Sequence, residues 1–250
     1  MYQFFVEPSQ IQGNRIVITG SDVNHIKNVL RMKPGEEIAV SNGTDGKEYR
    51  CGIEELLEEE IICTLRFIKE DGLELPARVT FFQGLPKADK MELIVQKSTE
   101  LGAAAIAPVA MIRSVVRLEG KDAVKKTERW QKIAREAVKQ CARVSAPEVR
   151  LPRKLSAMRE ELNALDVLIV PWEDARDGSV ADCLAPFAQK EDVSVGILIG
   201  PEGGIAPEEA EWLTREANAK LVTLGPRILR TETAAIASQT IVMALRGEME

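Results

Sequence analysis

Histidine is almost missing: the 250 residues contain one, His25. That excludes a histidine-based metal centre and leaves a Ser-His-Asp triad a single base to draw on. The four cysteines, Cys51, Cys63, Cys141 and Cys183, include no C-x-x-C pair. Neither a zinc knuckle nor a disulfide framework is indicated, which fits a reduced compartment. Long apolar runs are lacking too, and the most continuous strand, residues 195–199, is far too short to span a bilayer. The opening MYQFFVEPSQ has neither the basic start nor the apolar stretch of a secretory signal. These absences lead us to expect a cytoplasmic protein with no membrane and no metal partner.

What is present is ordinary in bulk and uneven in detail. An apolar share of 45% with 29% charged residues suits a soluble chain with a real core, of one large or two modest domains. The net charge of −6 resides wholly in residues 1–75, which hold 8 basic and 14 acidic side chains. Residues 76–250 are balanced, yet within them residues 111–159 hold 14 basic and 5 acidic side chains. A basic segment in an acidic protein is either a polyanion footprint or a solvated helix face.

The hydrophobic pattern changes near residue 75. Before it, short strands at 3–6, 15–18, 37–41, 48–53 and 60–67 alternate with Gly/Asn/Asp turns such as NGTDG, and 22–31 reads as one helix capped by Asp22. This predicts a small β-barrel over residues 1–73, with the boundary in the stretch 72–76. Residues 74–250 alternate strand and helix: strands at 79–83, 104–109, 167–170, 195–199 and 220–224, helices after 89 and at 121–143, 206–218 and 231–246. Asp89 and Glu92 have capping-box spacing. The alternation predicts an α/β domain with a mostly parallel sheet and helices on both faces.

In the helix at 121–143, Trp130, Ile133, Ala134, Ala137, Val138 and Cys141 form one buried stripe. Lys132, Arg135, Lys139 and Arg143 lie near the opposite face, with Glu128 read as the one acid beside them. Such a row can follow a phosphate backbone, positioning an RNA without reading it; the alternative is an ordinary exposed face. His25, Lys27, Arg31 and Lys33 form a second small basic patch, in which His25 alone carries no catalytic role.

Three strand ends bear unusual loops: VLIVPWED (167–174), ILIGPEGG (197–204) and LGPRILRTETAA (224–235). Ligands of open α/β sheets sit outside such carboxyl ends. Glycines let the backbone approach a ligand, and prolines restrict it. No GxxxxGK[ST] or GxGxxG is present, and Glu202, Glu208, Glu209 and Glu211 discourage a pyrophosphate. The same acids suit a cationic sulfonium. Taken alone, GPEGG also reads as two tight turns beside a core strand.

Together, GPEGG and LGPRILRTETA resemble the bacterial RsmE family, S-adenosylmethionine-dependent uridine-N3 methyltransferases of small-subunit (16S) ribosomal RNA. The resemblance runs through FVEP, HIKNVLRMKPGE (25–36), LPKADKMELIVQKSTELG (85–102), RSV (113–115) and RWQKIAREAVKQCAR (129–143). It implies a SPOUT-type α/β domain with a C-terminal trefoil knot, preceded by a PUA-like β-barrel. It also implies a homodimer whose partner completes an RNA site.

The resemblance places Ile199, Gly200, Pro201, Gly203 and Gly204 on the methionine side of the cofactor. Leu224, Gly225, Ile228, Leu229 and Arg230 would surround the adenine, and Val170, Pro171 and Trp172 would close the third side. Uridine N3 must lose a proton before it attacks the sulfonium methyl. Arg230 is the expected stabiliser of charge on the uracil. Glu232 is either the proton acceptor or a carboxylate complementing a helix start. Arg113 and Arg143 are expected to touch RNA, as are Lys132, Arg135, Lys139, His25 and Arg31. A SPOUT 2′-O-ribose methyltransferase and a non-catalytic RNA-binding assembly factor remain the alternatives.

Overall fold

The computed structural model describes residues 1–70 and 77–249, so the boundary expected at 72–76 lies outside the described residues. The chain divides into two compact units, Met1–Glu74 with Val138–Ala146, and Leu75–Ala137 with Pro147–Glu250.

The first unit is one six-stranded sheet, ordered β1-β4-β5-β6-β3-β2. Its strands are β1 (Gln3–Phe5), β2 (Ile11–Gln12), β3 (Arg15–Thr19), β4 (Glu37–Ser41), β5 (Glu48–Leu56) and β6 (Glu60–Lys69). Period-2 alternation turns Ile16, Ile18, Ile38, Ile53, Ile61 and Cys63 into one core. β1 and β2 form the edges of this pairing path, so the described ladder does not close on itself. The segment Val138–Ala146 joins the unit by pairing, with Ser41 Oγ donating to Val144 O at 2.9 Å and Gly43 bridging Ser145.

The helix expected at 22–31 differs from its reading. A short α1 (Ser21–Asn24) runs into a wide π-turn, His25–Val29. The residue before the helix is Gly20, at φ 76, and Asp22 sits inside the first turn instead of capping it. Arg31, at φ 53, follows the turn.

The second unit alternates as its pattern predicts. In order it has β7 (Arg78–Gly84), α2 (Lys90–Glu100), β8 (Ala105–Ala110), α3 (Gly120–Cys141), β9 (Glu148–Val149) and β10 (Arg153–Lys154). Then follow α4 (Arg159–Asn163), β11 (Val167–Pro171), α5 (Val180–Leu184), β12 (Ser194–Ile199), α6 (Pro207–Glu216), β13 (Lys220–Val222) and α7 (Thr231–Leu245). The sheet order is β10-β8-β7-β12-β11-β13, with β9 also on β8, and every described pairing is parallel.

Both faces of this sheet are covered. Phe81, Ile169, Ile197 and Ile199 pack with α2, α3, α5 and α7. Their chain neighbours Phe82, Leu168, Val170 and Leu198 pack with α4 and α6 on the other side. Burying each such side chain stabilises by about 1.5–3 kcal/mol, which explains why these strands read as continuous apolar runs. α7 is further tied to α2 by Gln239 Nε2, which donates to Ser98 O (3.0 Å) and Leu101 O (3.1 Å) at the carboxyl end of α2.

The capping box at Asp89 and Glu92 does not form. Asp89 precedes α2 with φ −90 and ψ 5, away from the extended backbone that aims a capping carboxylate, and its side chain caps nothing. Glu92 pairs instead with Arg129 on α3 at 2.7 Å.

The starts of β11 and β12 are joined by one carboxylate. Asp166 accepts from Lys190 Nζ (2.6 Å), Ser194 N (2.9 Å) and Ser194 Oγ (2.8 Å). The Lys190 ammonium, then the two Ser194 donors, outweigh desolvation and lower its pKa to about 2 from 3.8. A depressed carboxylate contributes stability above its unfolded pKa and loses it as pH falls through the folded value. Asp166→Asn is therefore expected to lower unfolding free energy at neutral pH by roughly 1 kcal/mol after solvent screening. Its loss of stability between about pH 4 and pH 2 should also be shallower than that of the parent. Urea denaturation across that range checks both.

Candidate active site

Because the strands are parallel, the loops after β7, β12, β11 and β13 emerge at one edge, in that lateral order. The loop after β12 is GPEGG. Gly204 N donates to Pro201 O at 2.9 Å, closing a tight turn, and Gly204 takes φ +71. A Cβ there would strike the Glu173 carboxylate. Gly84, at the end of β7, abuts the same loop: a Cβ would lie 2.6 Å from Pro201 Cδ and 2.7 Å from Pro201 N.

Beneath the loop is a buried polar junction. Thr231 Oγ1, on the first residue of α7, donates to Gly200 O at 2.7 Å. Gln83 Nε2, on β7, donates to Thr231 Oγ1 (2.9 Å) and Gly84 O (2.9 Å) and lies 3.4 Å from Gly200 O. Gln83 is fully buried and its Oε1 has no hydrogen-bond partner among the described residues. The sequence reading missed Gln83. Its signal was a lone amide ending the apolar strand VTFFQ, since a buried amide needs partners.

Above the junction is an ionic cluster that the sequence reading also missed. Glu202 accepts from Lys87 N (2.9 Å) and from Lys90 Nζ (3.0 Å). Lys90 Nζ also lies 3.5 Å from Glu232 Oε2, an ion-pair distance, though that oxygen has no hydrogen-bond partner among the described residues. Burial alone would raise the Glu202 carboxyl. Its own N–H, the Lys87 N–H and the Lys90 ammonium together outweigh that and hold it below the usual range. On the other flank, Arg113 Nη1 donates to Gly203 O at 3.0 Å and stands 4.0 Å from Glu173 Oε1. Buried Glu209 accepts from Ile112 N (2.8 Å) and Ala206 N (3.2 Å), joining the segment that carries Arg113 to the start of α6. The acids expected to repel phosphate are thus partly engaged in holding loops.

The expected cofactor residues fall on these strand ends. Val170 and Ile199 are buried in the two core clusters, so their side chains serve packing. Pro171 and Trp172 are half-buried; the Trp172 indole N–H donates to Ile205 O (3.3 Å) and its backbone N–H to Val222 O (3.1 Å). Gly200 and Pro201 are buried beneath the more open Gly203 and Gly204. In the loop after β13, Leu224 and Leu229 are half-buried, Gly225 takes φ +97, and Ile228 is 90% exposed. Arg230 is the exposed N-cap residue of α7, and Glu232 lies in the helix's first turn.

The expected RNA residues are dispersed. His25, Arg31, Lys139 and Arg143 belong to the first unit, and Arg113, Lys132 and Arg135 to the second. His25 is exposed, with its ring edge-on to Phe4 at 6.4 Å. Lys132, Arg135 and Lys139 are exposed on α3, while Arg143 is half-buried beyond its end. Glu136 is exposed on α3 as well, one turn after Lys132, so Glu128 is not the only acid near that row. Arg113 reaches the glycine loop itself.

A cavity of about 1340 Å³ lies between the start of α3, residues 151–156 and α6, and no expected cofactor residue lines it. Its walls include side chains such as Val116, Leu118 and Trp212, where the strand-end loops offer backbone amides. Among the described residues no group of three or more His, Cys, Asp and Glu could hold a metal, and no helix is long and apolar enough to cross a membrane.

Residues 73–243 match the RNA methyltransferase domain family, and residues 18–66 match the RNA methyltransferase PUA domain family. The chain is 38% identical to ribosomal RNA small subunit methyltransferase E of Bacillus subtilis, over 99% of this chain and 100% of that protein. The chain belongs to the ribosomal RNA small subunit methyltransferase E family. Two solved structures agree with that membership. The Neisseria gonorrhoeae member of the family, bound to S-adenosyl methionine, has a TM-score of 0.79 at 29% identity, covering 98% of each chain. A Legionella pneumophila protein described as a putative methyltransferase, with bound cofactor SAM, has a TM-score of 0.79 at 31% identity, covering 97% of this chain and 96% of that one. The fold is accordingly a PUA-like N-terminal domain joined to an α/β methyltransferase domain.

Gly84→Ala tests the packing of β7 against the glycine loop. The clash is with proline ring and backbone, so the loop must shift. The variant should lose about 1–3 kcal/mol of stability and bind S-adenosylmethionine more weakly, read by thermal melting and calorimetry. Parent-like melting and affinity would mean that the loop moves freely.

Proposed function

We propose that the protein is an S-adenosylmethionine-dependent methyltransferase that methylates N3 of a uridine in the decoding region of 16S ribosomal RNA, in the cytoplasm, during small-subunit maturation. Full-length membership of the ribosomal RNA small subunit methyltransferase E family carries this reading. The strand-end cleft fits the cofactor chemically. It offers backbone groups of fixed direction, apolar Leu224, Ile228 and Leu229, and the carboxylates Glu173, Glu202 and Glu232, one of them with a buried oxygen lacking a hydrogen bond. The three carboxylates outnumber the two cations beside them, Lys90 and Arg113, and the surplus negative charge complements a sulfonium and opposes a chain of phosphates.

When bound, the cofactor supplies an electrophilic methyl group. The chain's own residues position the acceptor and manage its proton. Residues 199–204 and 224–230, with 170–172, form the binding walls. Arg230, exposed just before α7, stabilises negative charge on the uracil carbonyls. Glu232, two residues on, accepts or relays the N3 proton. Arg113, Arg143, His25, Arg31 and the α3 cations contact RNA backbone. A C-terminal trefoil knot, expected of this family, is part of the proposal; Thr231 Oγ1 ties the start of α7 to the glycine loop at Gly200 O. The active form is a homodimer.

Transfer of tritiated methyl from S-adenosylmethionine to small ribosomal subunits, followed by nucleoside identification, tests the reaction. The expected product is N3-methyluridine, and ribose methylation would overturn the assignment. Arg230→Ala should lower kcat by about 10²-fold or more without changing melting temperature; near-normal turnover would remove Arg230 from the mechanism. Charge reversal of Lys132 and Arg135 should weaken RNA binding and flatten its salt dependence. Unchanged affinity would make that face of α3 a solvated surface only.

A further inference from the structure

Lys90 occupies a costly place. It is the first residue of α2, where the helix dipole disfavours a cation. Neither neighbouring acid compensates, because the Asp89 side chain caps nothing and Glu92 is engaged with Arg129. The ammonium instead reaches across to two carboxylates from different loops: Glu202, inside GPEGG, at 3.0 Å, and Glu232, in the first turn of α7, at 3.5 Å. The two carboxylates are therefore no farther apart than those two distances laid end to end. Without a cation between them they repel across a partly buried space, with exposed side-chain fractions of 25% and 17%. Repulsion would act on the two segments that the Thr231–Gly200 hydrogen bond holds together from below.

We propose that Lys90 is a positioning residue that holds the glycine loop and the start of α7 in their ligand-binding arrangement by neutralising the Glu202–Glu232 pair. The inference rests on the cofactor reading above and adds to it a residue of the β7–α2 segment. The same segment supplies Gln83 and the Lys87 N–H, so residues 83–90 support both loops from one side.

The test is calorimetric titration of the full-length protein with S-adenosylmethionine and with its demethylated product, alongside ligand-free melting temperatures. Lys90→Met should weaken binding by about tenfold or more. Its ligand-free melting temperature should stay close to the parent's, because a partly exposed ion pair contributes little to folding. Lys90→Arg should keep most of the affinity. The double variant Lys90→Met/Glu202→Gln should recover most of what Lys90→Met loses, since it removes the repulsion by another route. Parent-like binding by Lys90→Met overturns the proposal. So does a fall in melting temperature that tracks the loss of affinity, with no recovery in the double variant. Absence of binding by the parent protein itself would remove the cofactor reading and this inference together.

Discussion

The carbonyl of Gly200 accepts a hydrogen bond from a residue thirty-one positions later in the chain, and the fold of the candidate site depends on that contact. A buried carbonyl left without a donor costs about 1–3 kcal/mol. Thr231 supplies the donor, and Gln83 holds the threonine oxygen from the other side. Three distant segments, the end of β7, the end of β12 and the start of α7, are fixed at one point. The direction in which α7 departs, and the place of Arg230 just before it, follow from that point.

Charge arranges the layer above. The acids around the glycine loop look like an obstacle to ligand binding when counted in the sequence. In the folded protein two of them have structural duties. Glu209 bridges Ile112 and Ala206, and Glu202 is met by Lys87 and Lys90. Arg113 answers from the opposite flank by binding the Gly203 carbonyl. The loop is thus held by groups on the segments that follow both β7 and β8. This explains how five residues that include three glycines keep a defined shape despite their conformational freedom.

Much of this is legible in the sequence alone. Strand-to-helix alternation reports a buried parallel sheet because both faces of each strand must be apolar, as Phe81 and Phe82 or Ile197 and Leu198 show. The three loops stood out because GPEGG and the LGPR turn have compositions that few other structures need. Lys90 was not legible, and Gln83 only as a lone amide ending an apolar strand. Their partners on the glycine loop and α7 lie more than a hundred residues away, and no local periodicity encodes such a pairing. The short elements β2, β9, β10, α4 and α5 were missed because two to five residues carry too little pattern to register. Asp89 misled because capping-box spacing is a property of sequence, while capping needs an extended backbone that Asp89 lacks. The acidic neighbour of the α3 row, Glu136, was visible in the sequence and was undercounted.

Ile228 stands 90% exposed at the tip of the loop after β13. An isoleucine in water is surrounded by ordered solvent that is released when a partner surface covers it. Whatever closes over this tip will leave a thermodynamic imprint: the heat capacity of the complex will fall below that of its separated parts, and the binding enthalpy will grow more negative on warming.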